Sequence, residues 1–166
     1  MKRYILLAML FLFMAALMAE TGLFDLSYGQ DMAEAHTALL AKGFQETQRT
    51  AGSVSYTNSK IPGLTSLEVK DYFHHGTVSE WTAIYNVQDK AKLTEKIISD
   101  LTAIHGKESA QIYLTHEWWW MMADPYAIYV TLSDDLSTMT VAYSNDDVAQ
   151  DMKEDMTQDP EDWLDW

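Results

Sequence analysis

The chain has 166 residues with 25 Asp and Glu against 11 Lys and Arg, a formal net charge of −14, and no cysteine. That acid excess opposes binding to nucleic acid or anionic membrane, both of which call for Lys and Arg, and favours solubility and cationic partners. The lack of cysteine excludes a thiol nucleophile, a thiolate metal site, a disulfide framework and a lipidated cysteine.

Lys2 and Arg3 precede an uncharged apolar run over residues 4–19, which Glu20 ends. A positive start and an apolar stretch shorter than the roughly 20 residues of a spanning helix read as a secretory signal peptide, residues 1–19. Cleavage is predicted after Ala19, with retention as an anchor the alternative. The expected location is secreted or periplasmic, with no membrane contact once the signal is removed. The mature chain, with 9 basic against 25 acidic residues, is long enough for one domain with its own core.

After a short lead, Asp31 caps a helix within DMAEAHTALLAKGF, with Glu34 at the capping-box spacing, Met32, Ala35 and Leu39 on one stripe, and Gly43 just past its end. Strands are predicted in SVSYT, SLEVKDYF and TVSEWTAIYNV, with turns at Pro62–Gly63 and His74–His75–Gly76. DKAKLTEKIISDLTAIHG is a second helix, with Asp89 as its cap, Leu93, Ile97, Leu101 and Ile104 on one side, and Gly106 at its end. Three further strands follow over residues 110–122, 126–132 and 138–144. The fold class is therefore α+β: an antiparallel sheet with helices on one face. Its halves, residues 31–86 and 89–145, form a tandem αβββ repeat within a single domain at residues 20–145. Residues 146–166 make an acidic tail with nine acids and Lys153 alone as a base. Val148, Met152 and Met156, spaced by four, suggest a short amphipathic helix there. Trp163, Leu164 and Trp166 are unusual for a solvated tail and suit docking on the domain itself or on a partner.

Three consecutive tryptophans, Trp118–Trp119–Trp120, cannot share one face of a strand. With residues 110–122 as one strand, Ile112, Leu114, His116, Trp118 and Trp120 meet the helices. Tyr113, Glu117 and Trp119 then point to the open face. Tyr129 joins them from the next strand, and Trp81 extends the patch. Large aromatics among threonines and alanines on an open face suit recognition of another protein. The competing readings are a face covered by the tail, a loop or a second copy, or a bulge that reverses the parity. The five histidines show no metal-ligand spacing, and no nucleophile elbow, phosphate loop or calcium loop is present. The chain is expected to be no enzyme and to use no cofactor and no metal.

The leader, the repeated helix-plus-strands order and the GxxxAEAxxxLxxKGF run from Gly29 to Phe44 resemble the β-lactamase-inhibitor-protein-like fold over residues 23–145. The resemblance implies a concave sheet whose aromatics grip a protein target, a feature that carries over to Trp119, Tyr129, Tyr113 and Trp81. The hairpin at His74–His75–Gly76 corresponds to the one that enters the target's active site in the inhibitors. The disulfides of the inhibitors and the lipidated cysteine of the related envelope-assembly proteins have no counterpart here. The resulting expectation is an exported, non-catalytic protein-binding module whose site comprises Trp119, Tyr129, Tyr113, Glu117 and Trp81. The alternatives are a periplasmic carrier of a small amphiphile or peptide, or an accessory module of envelope assembly.

Overall fold

A computed structural model describes residues 21–71, 75–88, 90–112, 115–122 and 126–145. The leader, His74, Asp89, Tyr113, Leu114 and the acidic tail, all invoked above, lie outside these residues. Among the described residues, two α-helices, α1 (Met32–Ala41) and α2 (Ala91–His105), accompany one sheet. Its strands are β1 (Gln45–Arg49), β2 (Ser53–Thr57), β3 (Leu64–Lys70), β4 (Glu80–Asn86), β5 (Ala110–Ile112), β6 (Glu117–Met121), β7 (Tyr126–Leu132) and β8 (Thr138–Asn145). They pair antiparallel in the order β1-β2-β3-β4-β8-β7-β6-β5. The α+β architecture with an antiparallel sheet is thus the observed one. None of the helices among the described residues is long and apolar enough to cross a membrane.

Each half runs as a helix followed by a four-stranded meander, one strand more than the sequence suggested. In the first half the extra strand is β1, whose residues QETQR are all exposed; a strand without a buried face leaves no hydrophobic alternation to read. In the second half, residues 110–122 are not one strand but the hairpin β5–β6, turning where His116 adopts a φ of 53°.

A side-chain cap explains the start of α1, whereas α2 has Lys90 rather than Asp89 at its N-cap and no side-chain cap hydrogen bond there. The Asp31 carboxylate accepts hydrogen bonds from the backbone N–H groups of Ala33 (2.8 Å) and Glu34 (3.0 Å), satisfying donors that the first turn leaves free. Ala35 and Leu39 of α1 and Ile97 and Leu101 of α2 are buried. Ile104, placed on the same stripe by its spacing, is exposed instead. All four buried helix residues join one core cluster with Val54, Tyr56, Leu67, Val69, Trp81, Ile128, Val141 and Tyr143, so both helices cover the same side of the sheet.

The halves meet where β4 pairs with β8. There Trp81 lies opposite Tyr143, Ala83 opposite Val141 and Tyr85 opposite Met139. Aligning Ala83-Ile84-Tyr85 with Val141-Ala142-Tyr143 makes Trp81 the counterpart of Met139. Exchanging the halves then turns the Trp81–Tyr143 pair into the Met139–Tyr85 pair. The register is its own image about an axis through Ala83 and Val141.

The lead segment is structural. Leu26 and Tyr28 are buried in the core. The Leu23 N–H donates to the Tyr143 hydroxyl at 2.9 Å, and the Tyr28 hydroxyl donates to the Ser144 carbonyl at 3.0 Å. Gly22 lies against the stacked rings of Trp81 and Tyr143, whose centroids are 4.2 Å apart. A Cβ at Gly22 would overlap both rings, so only glycine lets the chain pass so close.

Candidate protein-binding face

The sheet side away from the helices carries the candidate site. On β6 and β7 the register sets Glu117 opposite Thr131, Trp119 opposite Tyr129 and Met121 opposite Ala127. On the other side Trp118 faces Val130 and Trp120 faces Ile128. Trp120 is buried in the main core, and its indole N–H donates to the Gly106 carbonyl at 3.0 Å. Trp118 is half-buried and packs against the same core. The three tryptophans therefore divide two to one, as strand alternation requires.

Trp119 belongs to a second, smaller apolar cluster with Ala127, against which Ala110, Met121 and Tyr129 pack. The rings of Trp119 and Tyr129 are 5.9 Å apart and tilted by 54°. The Tyr129 hydroxyl donates to Glu117 Oε1 at 3.0 Å. Burial, reinforced by the bonded carboxylate, pushes the Tyr129 phenol up to about 12, because both disfavour the phenolate. Trp119 itself is only 7% exposed, and its Nε1–H has no acceptor among the described residues. A buried indole N–H without a partner costs on the order of 1–3 kcal/mol.

Of the predicted site residues, Trp119, Tyr129 and Glu117 come together on this face, and Tyr113 lies outside the described residues. Trp81 does not belong to it. Register places it opposite Val69 and Tyr143 on the helix side, fully buried, with Tyr28 and Tyr143 as ring neighbours. Ala83 and Tyr85, at alternate positions of β4, are buried on that same side, which is the core. Ile112 was assigned to the helix side and is found opposite Glu117 on the helix-free side, 36% exposed. The β5–β6 hairpin reverses its parity. Met121 follows the alternation of Glu117 and Trp119 onto this face, whereas Ala110, across the hairpin from Trp119, is a member of the patch that the single-strand reading does not place there. Only a turn signal near His116 would have revealed Ala110, and the sequence there has no Gly, Pro or Asn.

The axis between the halves supplies a comparison within the molecule. Val130, opposite Val141, corresponds to Leu67, opposite Ala83. On that alignment Trp118 corresponds to Tyr56, Trp119 to Thr57, Glu117 to Ser55 and Tyr129 to Ser66. Tyr56 and Leu67 stay large on the core side, as Trp118 and Val130. On the other side, Thr57 and Ser66 correspond to the aromatics Trp119 and Tyr129, and Ser55 to Glu117.

Elsewhere, an open groove of about 750 Å³ lies between the first turns of α2 and the β7–β8 turn, lined among others by Val87, Lys90, Thr94, Leu132 and Leu136. Among the described residues, no three His, Asp or Glu side chains are grouped as metal ligands would be. No family model, curated protein or solved structure matches the chain.

Proposed function

We propose that this chain is an exported, non-catalytic binding protein that recognises another protein through the helix-free sheet face of its second half. The observation that supports this reading is the asymmetry between equivalent positions. Ser55, Thr57 and Ser66 fill in the first half the places that Glu117, Trp119 and Tyr129 fill in the second, so the fold does not demand aromatics there. Large aromatics at positions free of folding constraint suit an interface anchor. Trp119 and Ala127 form the floor of the patch; Tyr129, Met121 and Ile112 offer its accessible area, with Glu117 as a fixed acceptor. The resemblance to the β-lactamase-inhibitor-protein-like fold points the same way, toward an inhibitor-like grip on a folded target.

The test is affinity capture from the source's own extracellular and envelope extract, comparing mature protein with a Tyr129→Ala/Ile112→Ala double variant of equal melting temperature. A protein retained by the mature chain and lost by the variant supports the reading; equal retention by both removes it. The groove beside α2 favours a second reading, a carrier of a small amphiphile. A small mass that co-purifies in native mass spectrometry, and is lost in Leu136→Asp, would support that instead.

A further inference from the structure

We propose that the helix-free face of the second half takes an arginine side chain of the protein partner, with the guanidinium lying over the Tyr129 ring and bonded to the Glu117 carboxylate. The contact rests on the recognition reading above and gives that partner its chemistry. Glu117 is half-buried and has no basic partner among the described residues. The Tyr129 hydroxyl, donating to Oε1 at 3.0 Å, is its side chain's one hydrogen-bond partner there, so Oε2 is left without a donor. Around it on the same side stand Ile112 across the hairpin, Thr131 on β7, and Trp119 and Tyr129, none of them charged at neutral pH. Lys70 is the one base that the described strands turn to this side, and Glu68 and Glu80 hold it in the first half at 3.7 and 3.9 Å.

A carboxylate partly out of water beside aromatic rings, with no cation supplied by the fold, complements a cation from outside. Arginine suits it better than lysine. Its flat guanidinium covers an aromatic ring while its edge forks onto a carboxylate, whereas an ammonium is a compact, strongly hydrated charge. Trp119 packs against the Tyr129 ring with centroids 5.9 Å apart and braces it beside the carboxylate. A second copy of the chain does not supply the arginine. Arg49 is the one arginine after residue 19, and its Nε and Nη2 already donate to Glu46 at 2.9 and 2.6 Å. A chain with a net charge of −14 draws cationic partners, so the source is the basic surface of a different protein.

The probe is the peptide acetyl-Gly-Arg-Gly-amide, titrated into the mature chain and followed through the NMR signals of the Tyr129, Trp119 and Glu117 side chains. Its citrulline analogue keeps the shape without the charge, and its lysine analogue keeps the charge without the fork. Saturating shifts at these residues are expected, with a Kd roughly tenfold lower than for citrulline and roughly threefold lower than for lysine. Glu117→Gln, whose amide oxygen still accepts the Tyr129 hydroxyl, is expected to weaken the arginine peptide roughly fivefold. Glu68→Gln, in the first half, is expected to leave it unchanged. No shift at Tyr129, equal binding of the arginine and citrulline peptides, or equal losses in the two variants would overturn the contact; equal binding of the lysine peptide would overturn the choice of arginine. Capture separates this contact from the reading beneath it. A protein held by the mature chain, lost by Tyr129→Ala/Ile112→Ala and kept by Glu117→Gln would leave recognition standing and remove the arginine. Equal retention by all three would remove recognition itself and the arginine contact with it.

Discussion

The two halves of the sheet are alike on one side and unlike on the other. Toward the helices, Tyr56 and Trp118, Leu67 and Val130, and Ala83 and Val141 occupy corresponding places, and all but the half-buried Trp118 are buried. Away from them, Ser66 corresponds to Tyr129 and Thr57 to Trp119, and the first half adds Glu68, Lys70 and Glu80 with their ion pairs of 3.7 and 3.9 Å. A packed core fixes what its positions must be, because cavities and overpacking both cost stability. A side with no helix on it sets no such requirement. The contrast separates positions whose residue type the core fixes in both halves from positions, such as those of Trp119 and Tyr129, where the first half manages with Thr57 and Ser66.

That division can be broken by mutation, most forcefully on the core side. Trp81→Ala is expected to cost about 4 kcal/mol, as for other aromatics emptied from a core, read as a drop in the denaturation midpoint. Trp119→Ala should cost less, about 2–3 kcal/mol on the same scale, because its cluster is small and the neighbouring Tyr129 and Met121 can close over the gap. A loss equal to that of Trp81→Ala would place Trp119 in the essential core and dissolve the distinction. Gly22→Ala, which drives a methyl group into the Trp81–Tyr143 stack, is expected to cost about 2 kcal/mol through overpacking, with loss of near-ultraviolet dichroism from those rings.

The Tyr129–Glu117 bond gives a finer probe. A phenol whose folded value lies near 12, above an unfolded value of about 10, contributes stability in full below pH 10. That contribution disappears as the pH rises from 10 through 12. The advantage of the wild type over Tyr129→Phe, about 1 kcal/mol for one hydrogen bond, should thus hold at neutral pH and vanish across that window. Denaturation of the two proteins at stepped pH values checks it, and a constant difference up to pH 12 would contradict the burial of this phenol. The smallest effect is expected for Ser66→Tyr, the first-half counterpart. If that side is unconstrained, the change stays within about 0.5 kcal/mol.

Much of this was legible in the sequence because burial on one face writes a period into the chain. The α1 cap at Asp31, the stripes of both helices, and the alternation in 53–57, 64–70, 126–132 and 138–144 all carry that signature. β1 had no buried face and left no trace. The hairpin at His116 was hidden because a left-handed residue other than Gly or Asn gives no compositional warning. Trp81 shows a different limit. Alternation tells which residues share a side but not which side the helices cover, and an aromatic with small neighbours looks the same in a core as on an interface. Tyr28 was missed for a related reason: a lone tyrosine in a lead segment has no period, and only tertiary structure reveals its ring 3.9 Å from that of Tyr126.

The self-matching register at the β4–β8 seam has a consequence for how such a molecule can change. A single helix-plus-meander unit would present there an unpaired edge complementary to its own copy, the condition for a closed two-fold dimer. Joining two units in one chain replaces an association that depends on concentration with an internal closure whose effective concentration is set by the linker, typically millimolar for a short one. It also removes the obligation of identity. In a dimer of equal subunits every substitution appears twice, so a tryptophan placed for a target on one unit is also placed uselessly on the other. Once the units share a chain, one can stay plain and bear the load of folding while the other is free to specialise.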